Sequence, residues 1–297
     1  MANTSPSPLL DRAFLERLER LTIYWQKSFP GLVGGHNRSR FPGGGQEFLE
    51  HRQFHPGDDL RAVNWRAYMR LDKMFLKMFQ VEPRVPVRML IDTSASMGAV
   101  SGQKFDFARQ IAAALTYVGL VRLDTIQILP FAERLKEGKT ASGGRHRYRD
   151  VSEFLETLKS GGTTDFMGLV RQFLEEYPQR GLVVVISDFL DDGTCTKALQ
   201  YLADYGNELM LIQVWADEDR VPPWKGEVDL IDSESGTQMR MQVDQDARER
   251  YTAAFDAYSA GLKEIAIRNE GKYAGLPTSL SLDEAVFDTM VRSRSIA

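Results

Sequence analysis

From Val85 onward, apolar runs alternate with amphipathic stretches in a strand–helix rhythm. Runs rich in Val, Ile and Leu predict strands near 85–91, 125–131, 182–187 and 208–215. Between and after them, spacings of three and four predict helices near 104–122, 150–159, 165–177 and 195–205. A short hairpin near 133–148, around Gly143-Gly144, interrupts the alternation. Buried strands interleaved with helices predict an α/β fold: a doubly wound, mainly parallel sheet with helices on both faces. After Trp215 come a Pro222-Pro223-Trp224 turn and a second hairpin near 226–243, whose strands flank Ser235-Gly236. A long helix follows, carrying Tyr251, Phe255, Tyr258, Leu262 and Ile265 on one face. Ser281 and Glu284 form a capping-box pattern that starts a final helix.

The first 84 residues read differently. Phe14, Leu18, Leu21 and Trp25 recur at helical spacing, predicting a helix from about Leu9 to Lys27, closed by Pro30 and Gly31. A glycine-rich basic stretch, Gly34 to Gly45, reads as loop. Strands are expected at 46–55 and 74–81, separated by the turn signal Pro56-Gly57-Asp58-Asp59. Two domains result: an N-terminal helix and small basic appendage over 1–84, and an α/β core over 85–297 with a hairpin insertion near 226–243.

Composition narrows the function classes. With 43% apolar and 26% charged residues in 297, the chain is an ordinary globular protein. No apolar run is long enough for a membrane span, and no basic segment leads into an apolar one at the N-terminus, so no export signal is expected. One cysteine, Cys195, fits a reducing, cytoplasmic setting. A net charge of −4 disfavours nucleic-acid binding as the main role. Residues 1–86 do carry 13 basic against 9 acidic side chains, interleaved, which suits local Arg–carboxylate pairs and leaves a nucleic-acid sensor as a minor reading. No phosphate-binding loop with its lysine is present.

The chemistry concentrates where apolar strands end. Ile91-Asp92-Thr93-Ser94-Ala95-Ser96 places one carboxylate and two hydroxyls at a strand terminus. Gly161-Gly162-Thr163-Thr164-Asp165 presents a hydroxyl at a helix start, and Ile186-Ser187-Asp188 ends another buried strand in a carboxylate. Ligands in such folds bind beyond the carboxyl ends of the strands. Each of the first two segments alone also reads as helix capping, and the buried carboxylate of the third calls for either a cation or a hydrogen-bond cage. Together they form an all-oxygen set suited to a hard divalent cation, Mg2+ first, with Mn2+ or Ca2+ as alternatives.

These residues resemble the metal-ion-dependent adhesion site of von Willebrand factor A domains. The resemblance implies Ser94, Ser96 and Thr164 as direct ligands, with Thr163 the alternative to Thr164. It implies that Asp92 and Asp188 act through water, and that a partner's Asp or Glu completes the shell. Further upstream, Gly35 to Ser39, Gln46-Glu47-Phe48, and Arg52 through Pro56-Gly57-Asp58-Asp59-Leu60-Arg61 to Trp65 resemble a bacterial family, domain of unknown function 58. Its members are often encoded beside MoxR-type AAA+ ATPases, which implies such an ATPase as partner in protein remodelling or maturation. Two positions depart from those patterns: Phe189, where many relatives carry glycine, and Asn64, where the family commonly has aspartate.

Within the Pro56–Trp65 string, Asp58, Asp59 and Arg61 predict a turn fixed by an Asp–Arg pair, and Trp65 is expected on the core. A competing function is a metal-assisted hydrolase with Asp188 or Asp165 as base. Three of the four histidines fall within 36–55, away from those acids. The spacing of His51 and His55 would suit zinc on a helix, but Pro56 opposes one there. Asp191 and Asp192 precede Cys195 and would raise its thiol pKa, which argues against a nucleophile.

Overall fold

Asp11 opens the first helix: its carboxylate accepts the Phe14 amide at 2.7 Å, and α1 runs Arg12–Leu18. The structure is a computed structural model that describes residues 9–23, 40–42, 47–55, 58, 63–80, 86–99, 102–191 and 193–296. The expected helix to Lys27 closes early. Leu21 donates back to the Leu18 carbonyl at 3.0 Å, and Ile23 forms an antiparallel bridge with Ile296. Residues 24–27 lie outside the described residues.

Residues 28–85 form one compact unit and the rest of the chain another. The first helix therefore belongs to the core, against the expected boundary at 84. Leu10, Phe14 and Leu18 explain it, since all three are buried in the same cluster as the central helix of the α/β unit.

The small unit is a three-stranded antiparallel sheet of β1 (Arg40–Pro42), β2 (Glu47–Gln53) and β3 (Phe75–Gln80), with β3 in the middle. Helix α2 (Trp65–Leu71) was not anticipated; the Asn64 side chain caps it by accepting the Ala67 amide at 3.3 Å. Arg40-Phe41-Pro42, read as loop, pairs with β3. Trp65, expected to be buried, is exposed. Val63 and Leu76 fill this unit's interior, whereas Trp65 sits 53% exposed on the first turn of α2, edge-on to Tyr68. Arg52 donates to Asp58 at 2.7 Å and Asp58 accepts the His55 amide at 2.8 Å, so the arginine paired here is Arg52, where the sequence pointed to Arg61. His51 pairs with Lys77 on a strand, which removes the helical spacing to His55. Asp59, Arg61, Asp192 and most of the glycine-rich stretch lie outside the described residues.

In the larger unit, the strands are β4 (Val87–Asp92), β5 (Ile126–Phe131), β6 (Lys139–Ala141), β7 (Leu182–Ser187), β8 (Glu208–Trp215), β9 (Gly226–Ile231), β10 (Gln238–Val243) and β11 (Lys272–Pro277). Six of them form a sheet in the order β11-β8-β7-β4-β5-β6, parallel except for β6. The hairpin expected near 133–148 is the β5–β6 pair; Gly143 and Gly144 follow it rather than form its turn. Strand β11 was missed, because Gly275 and Pro277 dilute its apolar pattern.

Around the sheet lie α3 (Ala95–Gly98), α4 (Gln103–Val121), α5 (Tyr148–Thr157), α6 (Phe166–Glu176), α7 (Cys195–Asp204), α8 (Asp217–Arg220) and α9 (Gln245–Arg268), then a final helical segment, Glu284–Met290. Successive strand residues face opposite sides. On β4, Val87, Met89 and Ile91 join α1, α4, α5 and the C-terminal segment in one core. Leu90 joins α6, α7 and α9 in the other. The fold is thus mixed α/β, with helices covering both faces of a mainly parallel sheet. Ser281 and Glu284 make the expected capping box, Ser281 N to Glu284 Oε2 at 2.9 Å and Glu284 N to Ser281 Oγ at 3.3 Å.

Candidate metal centre

Strand β4 is flanked by β5 on one side and β7 on the other, so the connections diverge at its carboxyl end. In the parallel β4–β7 register Ile91 faces Ile186, which brings Asp92 beside Ser187 and leaves Asp188 one residue beyond. The Ser187 hydroxyl donates to Asp92 Oδ2 at 2.5 Å, and the Ser94 amide donates to Asp92 Oδ1 at 2.8 Å. Asp92, Ser94 and Asp188 are buried to within 1%.

Ser94 precedes α3 but makes no side-chain cap, so helix capping does not account for it. Instead its hydroxyl lies 2.9 Å from that of Ser96. Capping does account for Asp165, which accepts the Gly168 amide at 2.9 Å at the start of α6.

The glycine loop is laced to the serine loop through backbone alone. Ala95 N donates to the Gly162 carbonyl at 2.9 Å, and Gly161 N donates to the Thr93 carbonyl at 2.8 Å. Gly161 and Gly162 both take positive φ, the conformation their lack of Cβ permits. Thr164, two residues on, is half-buried where Thr163 is exposed. Its hydroxyl and amide both donate to Glu234, at 2.9 Å and 2.8 Å. Asp92, Ser94, Ser96 and Asp188 thus stand together at the ends of β4 and β7. Thr164 lies on the adjoining loop with a carboxylate of this chain as its partner.

Sequence reading missed Lys104. Its Nζ lies 2.8 Å from Asp188 Oδ2 and 3.0 Å from Asp219 Oδ2, and its side chain is 2% exposed. A lysine in the first turn of a helix looks solvated in a sequence; only its spacing into the apolar face of α4 could have signalled otherwise. Burial alone would lower its pKa, but Asp188 and Asp219 outweigh that and hold it above the ordinary lysine value. Lys136 is the second unanticipated cation, donating to Thr93 Oγ1 at 2.7 Å. Burial lowers its pKa, and the charge of Asp92 opposes that.

Among the described residues, Asp92 has no such ion pair. Burial first, and the neighbouring charge of Asp188 second, push its pKa up to about 7, against the opposing hydrogen bonds from Ser187 and Ser94. A buried carboxylate so raised is short of positive charge.

The donor chemistry fits a hard cation. Asp92 already accepts a protein hydrogen bond on each oxygen, and Asp188 does likewise, from Leu190 N at 3.2 Å and from Lys104. Each carboxylate oxygen keeps a further lone pair for an ion-bound water. The two serine hydroxyls, by contrast, are paired with each other. Among the described residues, no group of three or more His, Cys, Asp or Glu is gathered as a metal cluster, so any ion here rests on hydroxyls as much as on acids.

Phe189 explains its own departure from glycine. Its φ is +58°, a conformation glycine adopts freely and a phenylalanine does not. The ring is fully buried and stacked on Phe166, with centroids 6.0 Å apart. Its amide donates to Ser187 Oγ at 2.8 Å and its carbonyl accepts from the Tyr258 hydroxyl at 2.6 Å. Packing and two hydrogen bonds hold the loop in the strained shape.

Residues 50–260 match the family described as protein of unknown function DUF58. The chain is also similar to the uncharacterized proteins Mb1516 of Mycobacterium bovis and Rv1480 of Mycobacterium tuberculosis. Identity to each is 26% over 248 residues, covering 82% of this chain and 78% of the relative. Among solved structures, it is similar to the conserved hypothetical protein BatB from Bacteroides thetaiotaomicron. There the TM-score is 0.42 and the identity 20%, over 70% of this chain and 98% of that one. An aerotolerance-related membrane protein from Bacteroides fragilis gives a TM-score of 0.40 at 18% identity, over 71% and 98%.

Proposed function

The chain belongs to the DUF58 family, and we propose that it is a binding module that captures a partner's carboxylate through a divalent cation. Ser94, Ser96 and Thr164 would hold the ion directly. Asp92 and Asp188 would hold its waters and balance its charge. Bound there, the ion supplies an open coordination position to an incoming Asp or Glu. The remaining work is done by the chain. Ser187 and the Ser94 amide orient Asp92, Lys104 anchors Asp188, and backbone bonds hold the Gly161–Gly162 turn, two residues before Thr164, against the serine loop.

The observation that supports this most is the Ser94–Ser96 hydroxyl pair, 2.9 Å apart beside a carboxylate that burial leaves short of positive charge. We read this pair as part of the von Willebrand A-type site which the sequence resembles, and the proposed fold is the von Willebrand A-like version of the α/β sheet. From the domain of unknown function 58 resemblance, the partner we propose is a MoxR-type AAA+ ATPase acting in protein remodelling or maturation, and from the single cysteine we propose a cytoplasmic setting. Among the described residues, no helix is long and apolar enough to cross a membrane.

A hydrolase would need a free base at the ion. Asp188 is poorly suited to that role, being locked to a buried ammonium at 2.8 Å. Asp165 is engaged as a cap. The binding reading is tested by co-purification with a MoxR-type ATPase in magnesium, in chelator, and with Asp92→Ala. Association lost in both of the last two is expected; association indifferent to both would reject the proposal.

A further inference from the structure

Thr164 already holds a carboxylate, and it comes from this chain. Glu234 sits at the tip of the β9–β10 hairpin, and its two oxygens take the hydroxyl and the amide of Thr164 separately. Such two-point, charge-assisted bonding is how a built carboxylate site grips its ligand. The tip is shaped to present this side chain. Asp232 Oδ1 accepts the amides of Glu234 at 2.8 Å and Ser235 at 2.6 Å, and Gly236 closes the turn at φ +71°. Those same amides hold the Asp232 carboxyl below its usual range. Along the tip Glu234 is half-buried, while Asp232, Ser233 and Ser235 are exposed.

The arm that carries Glu234 is a hairpin separate from the main sheet. Strands β9 and β10 pair only with each other, as a two-stranded sheet apart from the six-stranded one. A two-stranded hairpin is marginal by itself and takes its position from what it touches. Ile231 and Met239 near its tip are 63% and 62% exposed, while Val243 at its base is buried.

We infer that Glu234 is an internal ligand that occupies the carboxylate position at Thr164 and must be displaced by the partner's Asp or Glu. The inference rests on the reading of this site as one that binds a partner carboxylate. It adds a regulation: the resting protein is self-blocked, and binding couples to release of the 226–243 hairpin. A competing internal ligand lowers the apparent affinity by the fraction of molecules left open.

The test uses the full-length chain, isotopically labelled, as wild type, Glu234→Gln and Glu234→Ala. Sodium acetate is titrated with and without Mg2+ against a sodium chloride control, and the Thr164 amide resonance is followed. The expected result is roughly tenfold tighter apparent acetate binding in Glu234→Ala than in wild type, with Glu234→Gln between them. If that gain requires Mg2+, both the self-block and the metal site are supported. If it appears equally without Mg2+, the self-block stands and the metal site is overturned. Mg2+ shifting Ser94 and Ser96 while acetate acts alike on all three proteins overturns the self-block and leaves the metal site standing. No response to either probe overturns both.

Discussion

Lys104 Nζ reaches Asp188 Oδ2 at 2.8 Å across 84 residues of chain, with both side chains almost wholly buried. It also reaches Asp219 at 3.0 Å, so one ammonium joins α4, the end of β7 and α8. Removing one member of a buried pair leaves the other charge without compensation, which costs about 3–5 kcal/mol. Lys104→Met should therefore lower unfolding stability by that order in urea denaturation. Adding Asp188→Asn should recover part of the loss, because the stranded charge is gone.

Asp92 sets a pH dependence with a definite sign. Its folded pKa, about 7, lies above the ordinary aspartate value, so folding without metal takes up a proton. The contribution favours the fold at pH below about 4 and is lost as pH rises to about 7. Magnesium should reverse this, because a cation favours the ionised acid. The rise in Tm on adding Mg2+ should be larger at pH 8 than at pH 5.5, and Asp92→Asn should flatten the dependence.

At Phe189, two effects of opposite sign can be weighed. Relief of the left-handed backbone by glycine is worth about 1–2 kcal/mol. Loss of a fully buried aromatic ring costs about 3–5 kcal/mol. Packing wins, so Phe189→Gly should be net destabilising by about 1–4 kcal/mol in chemical denaturation. A stabilised variant would mean that the ring contributes less than its burial implies.

Burial, and then the charge of Asp191, raise the Cys195 thiol well above its ordinary pKa. Its side chain is fully covered within α7. A thiol reagent at pH 8 should modify the native protein only at the rate of unfolding, and the denatured protein at once.

Much of the fold was legible because its strands are buried on both faces. Val183 to Ile186 and Leu209 to Val214 are nearly continuous apolar runs, and their bounds emerged as expected. Edge and surface elements were not. Strand β11 contacts one neighbour and carries Gly275, and the short β1 and α2 have too few periods to register. For the candidate site, the gathering of Asp92, Ser94, Ser96 and Asp188 was legible as polar residues at or just beyond the ends of apolar strands. Lys104 and Glu234 were not, since a lysine opening a helix and a glutamate in a Ser-rich turn have the sequence signature of solvated groups. Only the tertiary fold reveals that one is buried and the other is seated on Thr164.

In the proposed site, Ser94, Ser96 and Thr164 would hold a divalent cation, flanked by Asp92 and Asp188. Isothermal titration of Mg2+ into wild type and into Ser94→Ala/Ser96→Ala addresses it most directly. One site per chain is expected in wild type and no measurable binding in the double variant, with both proteins equally folded. Equal affinity in the two, or no binding in the wild type, would contradict it.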